Sequence, residues 1–354
     1  MLTSANNSDG DVVKVIDIAP FADRSNHSDA ERKACAEQWN AAFSDVGFAL
    51  VVGHGVDLQL IQDMRRGFRA FFEEKDTSLK LKYSYGPYGN SKGGYTSLGG
   101  EAVARSQDGH GGLGDGDGDG GGSASTPTSK EAKADPVESF VCKFRSDDDG
   151  SKMKLPQEFE SVAAKYDAEM RRVLECLNRI SEVALSLPEG YLTKFYEPEP
   201  NCYLVAKYYP PSLTSGIDSE TRYGAHTDYT GYTILKQDDS DAGQASGGLQ
   251  VRLKSGEWKD VRPRPDGFVC NLGDLIEDWT NGRWRSAVHR VVAPQPGSDA
   301  AKVSRLSMPF FTGPHDDALI ETLPTCVTDG DSTRLTAPIR AGDHLQRKLA
   351  ATQV

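Results

Sequence analysis

Apolar positions recur at helical spacing in the first half of this chain and gather into short β-rich runs in the second, and that change divides it. From about Asp29, the residues Ala30, Cys35, Trp39, Ala42 and Phe43 fall on one side of a predicted helix that ends near Gly47. A second amphipathic helix is predicted from about Leu58 to Glu74. The longest helical pattern covers residues 157–187, where Phe159, Val162, Tyr166, Met170, Val173, Leu177 and Ile180 recur at steps of three and four. That stripe reads as core-facing. Short β-rich runs at Val13–Ile18 and Phe48–Val52 interrupt the helices, and Gly53-His54-Gly55 closes the second run.

Beyond Asn201 the texture changes to short β-like runs. Short runs at Tyr203–Tyr209, Tyr232–Lys236, Gly248–Leu253, Trp258–Val261, Gly267–Leu272, Ala287–Val292 and Val303–Phe311 are broken by Gly, Pro, Asn and Asp. Asn281-Gly282 signals a tight turn, and Asp274 reads as a turn residue. Many short strands at this spacing predict a sandwich or jelly roll, so the fold class is α+β with a mainly β core and flanking helices. A closing helix is predicted from Ala341 to Ala351, after Pro338. The stretch from Gln107 to Ala134 has almost nothing to bury and reads as a flexible linker or surface insertion. Its Asp-Gly run is too short to make calcium the better reading. The expected organisation is a disordered start at 1–12, a mostly helical region at 13–200 carrying that insertion, a β core at 201–320, and a C-terminal segment at 321–354.

Composition narrows the partners. A hydrophobic fraction of 37% and a charged fraction of 26% are those of an ordinary globular protein, with mean hydropathy of −0.52 on the polar side. The net charge of −12 and a pI near 5.1 argue against nucleic acid or an anionic membrane as partner. No stretch approaches a membrane span, and Met1–Asp17 lacks the basic and apolar regions of an export signal. The six cysteines are scattered without a C-x-x-C pair, which fits reduced, buried thiols. A cytoplasmic monomer acting on a small molecule is the expectation.

The candidate chemistry lies in the β-rich half. In His226-Thr227-Asp228, alternation along an extended strand sends the first and third residues to one face, where they could share a metal. His289, in Ser286-Ala287-Val288-His289-Arg290-Val291, is the candidate third ligand. Two neutral imidazoles and a carboxylate on one face leave coordination positions open, which suits Fe(II) and oxygen chemistry. Taken alone, His226 and Asp228 read more readily as ordinary polar strand residues. Arg305-Leu306-Ser307 changes the balance. A guanidinium fork with a hydroxyl two residues on can hold the distal carboxylate of a dicarboxylic acid whose other end chelates the metal.

Here the chain resembles the 2-oxoglutarate/Fe(II)-dependent dioxygenases of the isopenicillin N synthase-like group. The resemblance rests on Lys207-Tyr208-Tyr209-Pro210, Gly224-Ala225-His226-Thr227-Asp228, Gly247-Gly248-Leu249-Gln250-Val251, Asn271-Leu272-Gly273-Asp274, Thr280-Asn281-Gly282, the stretch around His289, and Arg305-Leu306-Ser307 before Phe310-Phe311. It is dense from about Asn201 to Pro314 and weaker over Val15–Phe72. It implies a double-stranded β-helix, a cupin-like jelly roll, with iron on His226, Asp228 and His289. It further implies 2-oxoglutarate held by Arg305 and Ser307 with Tyr209 as a contact, dioxygen as the oxidant, and Phe311 facing the substrate.

The activity so implied is oxidation of a small, specialised metabolite with release of succinate and carbon dioxide. Hydroxylation is its commonest form, and desaturation and cyclisation are related outcomes. An iron oxidase that dispenses with 2-oxoglutarate and a catalytically silent binding scaffold are the alternatives. One departure is Lys207, where the family often has asparagine, so a hydrated charge replaces a neutral amide. His54 reads as structural and His110 as solvated.

Overall fold

The computed structural model describes residues 11–86, 92–103, 134–144, 153–211, 220–238, 248–327 and 332–352; the Gly/Asp-rich stretch up to residue 133, with His110, lies outside them. The chain opens with β1 (Lys14–Asp17), a helical turn α1 (Ala19–Ala22), α2 (Asp29–Asp45), β2 (Phe48–Val52), α3 (Leu58–Phe72) and α4 (Thr77–Leu81). After β3 (Gly94–Thr96) and β4 (Glu138–Lys143) comes the long helix α5 (Gln157–Ala184). The β-rich half contains β5 (Tyr203–Tyr209), β6 (Thr221–His226), β7 (Tyr232–Lys236), β8 (Leu249–Arg252), β9 (Trp258–Asp260), β10 (Phe268–Leu272), α6 (Asp274–Trp279), β11 (His289–Val292) and β12 (Arg305–Phe311). β13 (Leu319–Ile320), β14 (Ile339–Arg340) and α7 (Ala341–Thr352) follow.

Two sheets make the core: an eight-stranded one in the order β1-β2-β10-β7-β12-β5-β4-β3, and a four-stranded one in the order β6-β11-β8-β9. This is the jelly roll expected from the strand spacing. Alternation assigns each side chain to a face. On β12, Leu306, Met308 and Phe310 enter the main apolar core, while Arg305, Ser307, Pro309 and Phe311 line a cavity on the other side. β2 obeys the same rule: Ala49 and Val51 pack into the main core, and Phe48 and Leu50 into a second cluster with Leu249 and Val251 of the smaller sheet. The larger sheet is therefore covered by helices on one face and by the smaller sheet on the other. The cavity opens between the sheets.

The stripe predicted on α5 is buried at Phe159, Tyr166, Met170, Val173, Leu177 and Ile180, with Val162 only partly covered. α3 crosses it closely. A Cβ built on Gly67 would lie 2.5 Å from the Glu158 carbonyl oxygen, so only glycine lets the two backbones approach this far. Ser28 and Glu31 form a reciprocal capping box at the start of α2, a local reason for that helix to begin where it does.

One expectation needs correcting. Asp274 does not sit in a turn but opens α6, whose N-cap is Gly273. The turn signal belongs to the other end of that helix: Asn281 and Gly282 take φ of 52° and 75°, and the Gly282 N–H closes onto the Glu277 carbonyl at 2.8 Å. No helix among the described residues is long and apolar enough to cross a membrane.

Candidate active site

His226 ends β6 and His289 begins β11, and antiparallel pairing sets the two directly opposite each other. Their imidazoles lie 4.2 Å apart, centroid to centroid. Asp228 sits two residues past His226 in an isolated bridge to Gly273. Its Oδ1 is 3.8 Å from Nε2 of each histidine. All three side chains are buried. Each histidine turns Nδ1 toward the carbonyl two residues earlier, Gly224 at 2.8 Å and Ala287 at 3.0 Å. Those carbonyls accept, so Nδ1 carries the proton and both Nε2 lone pairs face Asp228. Burial, then the adjacent His289, hold His226 far below the ordinary imidazole range, in the neutral form a metal requires.

Asp228 is divided by its partners. Oδ2 accepts from Thr233 Oγ1 at 2.5 Å and Asn271 Nδ2 at 2.6 Å, leaving Oδ1 to the space between the histidines. His226, Asp228 and His289 are the one group among the described residues whose His, Cys or carboxylate donors converge for a metal, all within 4.8 Å of one another. Two neutral imidazoles and a single carboxylate oxygen fit an Fe(II) centre with open positions.

Arg305 opens β12 opposite Tyr209 of β5, and Ser307 lies opposite Lys207. Arg305 is 2% exposed. Its contacts are neutral: Ser307 Oγ at 3.4 Å, Gln237 Oε1 at 3.3 Å, and the Tyr209 ring with its centroid at 5.2 Å. Among the described residues no carboxylate pairs with it. A buried, uncompensated guanidinium is costly unless an anion arrives to share its site.

Residues 200–314 match the 2OG-Fe(II) oxygenase superfamily, and residues 13–116 match the N-terminal region described for the non-haem dioxygenase in morphine synthesis. A homoarginine-6-hydroxylase from Oryza sativa subsp. japonica is 27% identical over 353 residues, covering 97% of this chain and 98% of that protein. A 1-aminocyclopropane-1-carboxylate oxidase from the same plant is 35% identical over 181 residues, covering 50% of this chain and 52% of its own. The solved structure of a full-length Neurospora crassa protein in complex with alpha-KG superposes with a TM-score of 0.75 at 24% identity, covering 98% of each chain. The chain belongs to the 2OG-Fe(II) oxygenase superfamily. It is an oxidoreductase whose cofactor is Fe(II) and whose cosubstrates are 2-oxoglutarate and dioxygen, acting on a small organic molecule.

The oxygenase gathers around one cavity every candidate site residue named from the sequence: His226, Asp228, His289, Arg305, Ser307, Tyr209 and Phe311. The cavity encloses about 840 Å³ of empty space, its open mouth included. Phe311 stands beside Tyr203, ring centroids 5.3 Å apart, at the far end of β12 from Arg305. Leu349 of α7 adds an apolar wall. That helix is tied to the loop after Asp228: His344 Nε2 meets the Tyr229 carbonyl at 2.8 Å, and Lys348 pairs with Asp274 at 2.7 Å.

Sequence reasoning misses several supporting residues. Asn271 stands in the Asn271-Leu272-Gly273-Asp274 motif, but residue type and order do not show that its amide holds Asp228. Asp238 is also missed: it accepts from the Leu306 N–H at 3.0 Å and pairs with Arg65 at 2.9 Å and Arg69 at 2.6 Å, fastening β12 beside Arg305 to α3. Lys207, the departure from the family pattern, is buried in an ion pair with Glu101, and its Nζ also reaches the Tyr223 hydroxyl at 3.2 Å. The charge flagged in the sequence is thus internally balanced.

Proposed function

We propose that the oxygenase holds Fe(II) on His226, Asp228 and His289, holds 2-oxoglutarate on Arg305 with Ser307 and Tyr209, and hydroxylates a small organic substrate seated toward Tyr203 and Phe311. The observation that carries this reading is the uncompensated Arg305 guanidinium opening on the same cavity as His226, Asp228 and His289. A dicarboxylic acid spanning the two would neutralise both ends. When bound, Fe(II) supplies dioxygen activation coupled to decarboxylation of 2-oxoglutarate.

The chain's own residues do the rest. Asn271 and Thr233 restrict Asp228 to one ligating oxygen, and the Gly224 and Ala287 carbonyls fix the histidine tautomers. Tyr209 and Ser307 orient the fork of Arg305. Phe311, Tyr203 and Leu349 exclude water from the substrate end and set which C–H bond faces the metal. Six free cysteines, five of them buried, support a reducing cytoplasmic setting, and the −12 net charge supports a partner other than nucleic acid. We take the working unit as a monomer whose catalytic core is residues 201–320, preceded by the mostly helical region at 13–200.

The test is anaerobic titration of Fe(II)-loaded protein with 2-oxoglutarate, following the visible metal-to-ligand charge-transfer band. A saturable band that vanishes in His289→Ala supports the assignment. Iron binding without any band overturns the 2-oxoglutarate half of it, and no iron binding overturns the whole.

A further inference from the structure

Two buried carboxylates outside the strands of the jelly roll converge on the strand that ends at His226. Between the His289–His226 and Val291–Tyr223 pairs, the two residues Gly224 and Ala225 of β6 face the single Arg290 of β11, and the register shifts there. Such a bulge bends its strand and re-aims the side chain beyond it. Asp135, 5% exposed, holds this one: its Oδ1 accepts from Gly224 N at 2.9 Å and its Oδ2 from Val103 N at 2.8 Å. The Gly224 carbonyl in turn takes the Nδ1 proton of His226.

Glu101, 2% exposed, acts on the residue before. Its Oε2 accepts from the Tyr223 hydroxyl at 2.9 Å and from Lys207, and its Oε1 accepts from Ser139. The Tyr223 ring stands edge-on to the His226 imidazole, 5.0 Å between centroids and 87° between planes. The two acids are joined to each other, Asp135 N donating to the Glu101 carbonyl at 2.8 Å. One acid therefore fixes the backbone that feeds His226, and the other fixes the ring that walls it.

We infer that Glu101 and Asp135 are positioning residues for the metal ligand His226, supplied by the segments flanking β3 and β4. The inference rests on the metal assignment above. Burying two carboxylates and a lysine costs free energy that a hydrophobic cluster would not. Precise orientation of a ligand is the return the geometry offers, and partners that orient metal ligands typically change affinity by about 10–100-fold when removed.

Anaerobic calorimetry with Fe(II) alone, on the full chain, tests this. Asp135→Ala and Tyr223→Phe are each expected to weaken Fe(II) binding roughly tenfold, with circular dichroism and melting of the metal-free protein close to wild type for Tyr223→Phe. The double variant Glu101→Gln with Lys207→Met keeps an acceptor for Tyr223 and leaves no ammonium without its counter-ion; it is expected to bind Fe(II) nearly as wild type does. Wild-type affinity in both Asp135→Ala and Tyr223→Phe overturns the inference, as does a double variant as weak as Tyr223→Phe. Should Asp135→Ala fail to fold, Asp135→Asn, whose single amide oxygen replaces the two acceptors that meet the Gly224 and Val103 N–H groups, takes its place. A wild-type protein that binds no Fe(II) overturns the metal assignment and this inference with it, a result distinct from wild-type binding unaltered by the variants.

Discussion

Asn271 donates to Asp228 Oδ2 across 2.6 Å, and this contact decides which carboxylate oxygen is left for a metal. Asn271 comes from β10 of the larger sheet, whereas His226 and His289 come from the smaller one. The relationship therefore ties the two sheets together at the site. Asn271→Ala should free Asp228 to rotate, leaving Thr233 as the sole donor to Oδ2. We expect Fe(II) affinity to fall roughly tenfold or more, measured by anaerobic titration, with the strand content unchanged. Unaltered affinity would mean that Thr233 suffices.

Arg305 should show opposite effects on stability and function. Without 2-oxoglutarate its guanidinium is buried with neutral hydrogen-bond partners and with a second buried guanidinium, Arg222, close enough to repel it, so Arg305→Met removes an uncompensated charge. The melting temperature without cosubstrate should hold or rise. The same variant should require at least about thirtyfold more 2-oxoglutarate, from the loss of about 2 kcal/mol or more of charged contact. Thermal melts with and without 2-oxoglutarate separate the two: wild type should gain stability with ligand and Arg305→Met should not. A variant stabilised by 2-oxoglutarate as much as wild type would place the cosubstrate elsewhere.

How far the sequence could be read follows from the range of each interaction. Strands such as Tyr203–Tyr209 and Tyr232–Lys236 are legible to the residue, because a short run of aromatic and aliphatic residues bounded by Pro, Gly or Asp is a local property. α6 is not, since Asp274–Trp279 is too short for a helical period to repeat. The proposed metal-binding set is legible because residue type and order carry it. The Glu101–Lys207 pair is not, because the partners are separated by 106 positions and the β3–β4 and β4–β5 pairings together bring their segments close. Motifs carry ligands, and topology carries what holds them.

The crossing of α3 over α5 gives a stability test remote from the site. A methyl at position 67 would meet the Glu158 carbonyl oxygen at 2.5 Å and the Phe159 Cβ at 2.6 Å, backbone or near-backbone atoms with little freedom to yield. Helix propensity alone would favour alanine by about 1 kcal/mol. Overpacking should win, so Gly67→Ala is expected to destabilise by about 1–3 kcal/mol. Urea denaturation would read this as a lower midpoint at constant slope, while a stabilised variant would mean that the helices can slide apart.

His54 supplies the pH dependence. Its ring is 4% exposed, packs on Phe268 at 4.6 Å, and accepts the Val56 N–H on Nδ1 at 3.0 Å. Burial first, with lesser opposing and reinforcing effects from Asp266, Lys236 and Arg172, lowers it from 6.5 to about 4. The folded state therefore favours the neutral ring. As pH falls below 6.5 the unfolded chain takes up a proton that the folded chain refuses until about 4, so stability present above 6.5 is lost across that window. The shift corresponds to about 3 kcal/mol. His226 is lowered in the same direction, so the difference between proteins isolates His54. In His54→Asn, whose side-chain oxygen can still accept from Val56, the slope of stability against pH between 6.5 and 4 should be shallower by about one proton. Urea denaturation at a series of pH values measures both slopes. Parallel slopes would mean that His54 is protonated in the folded state, and that burial is not what sets its charge.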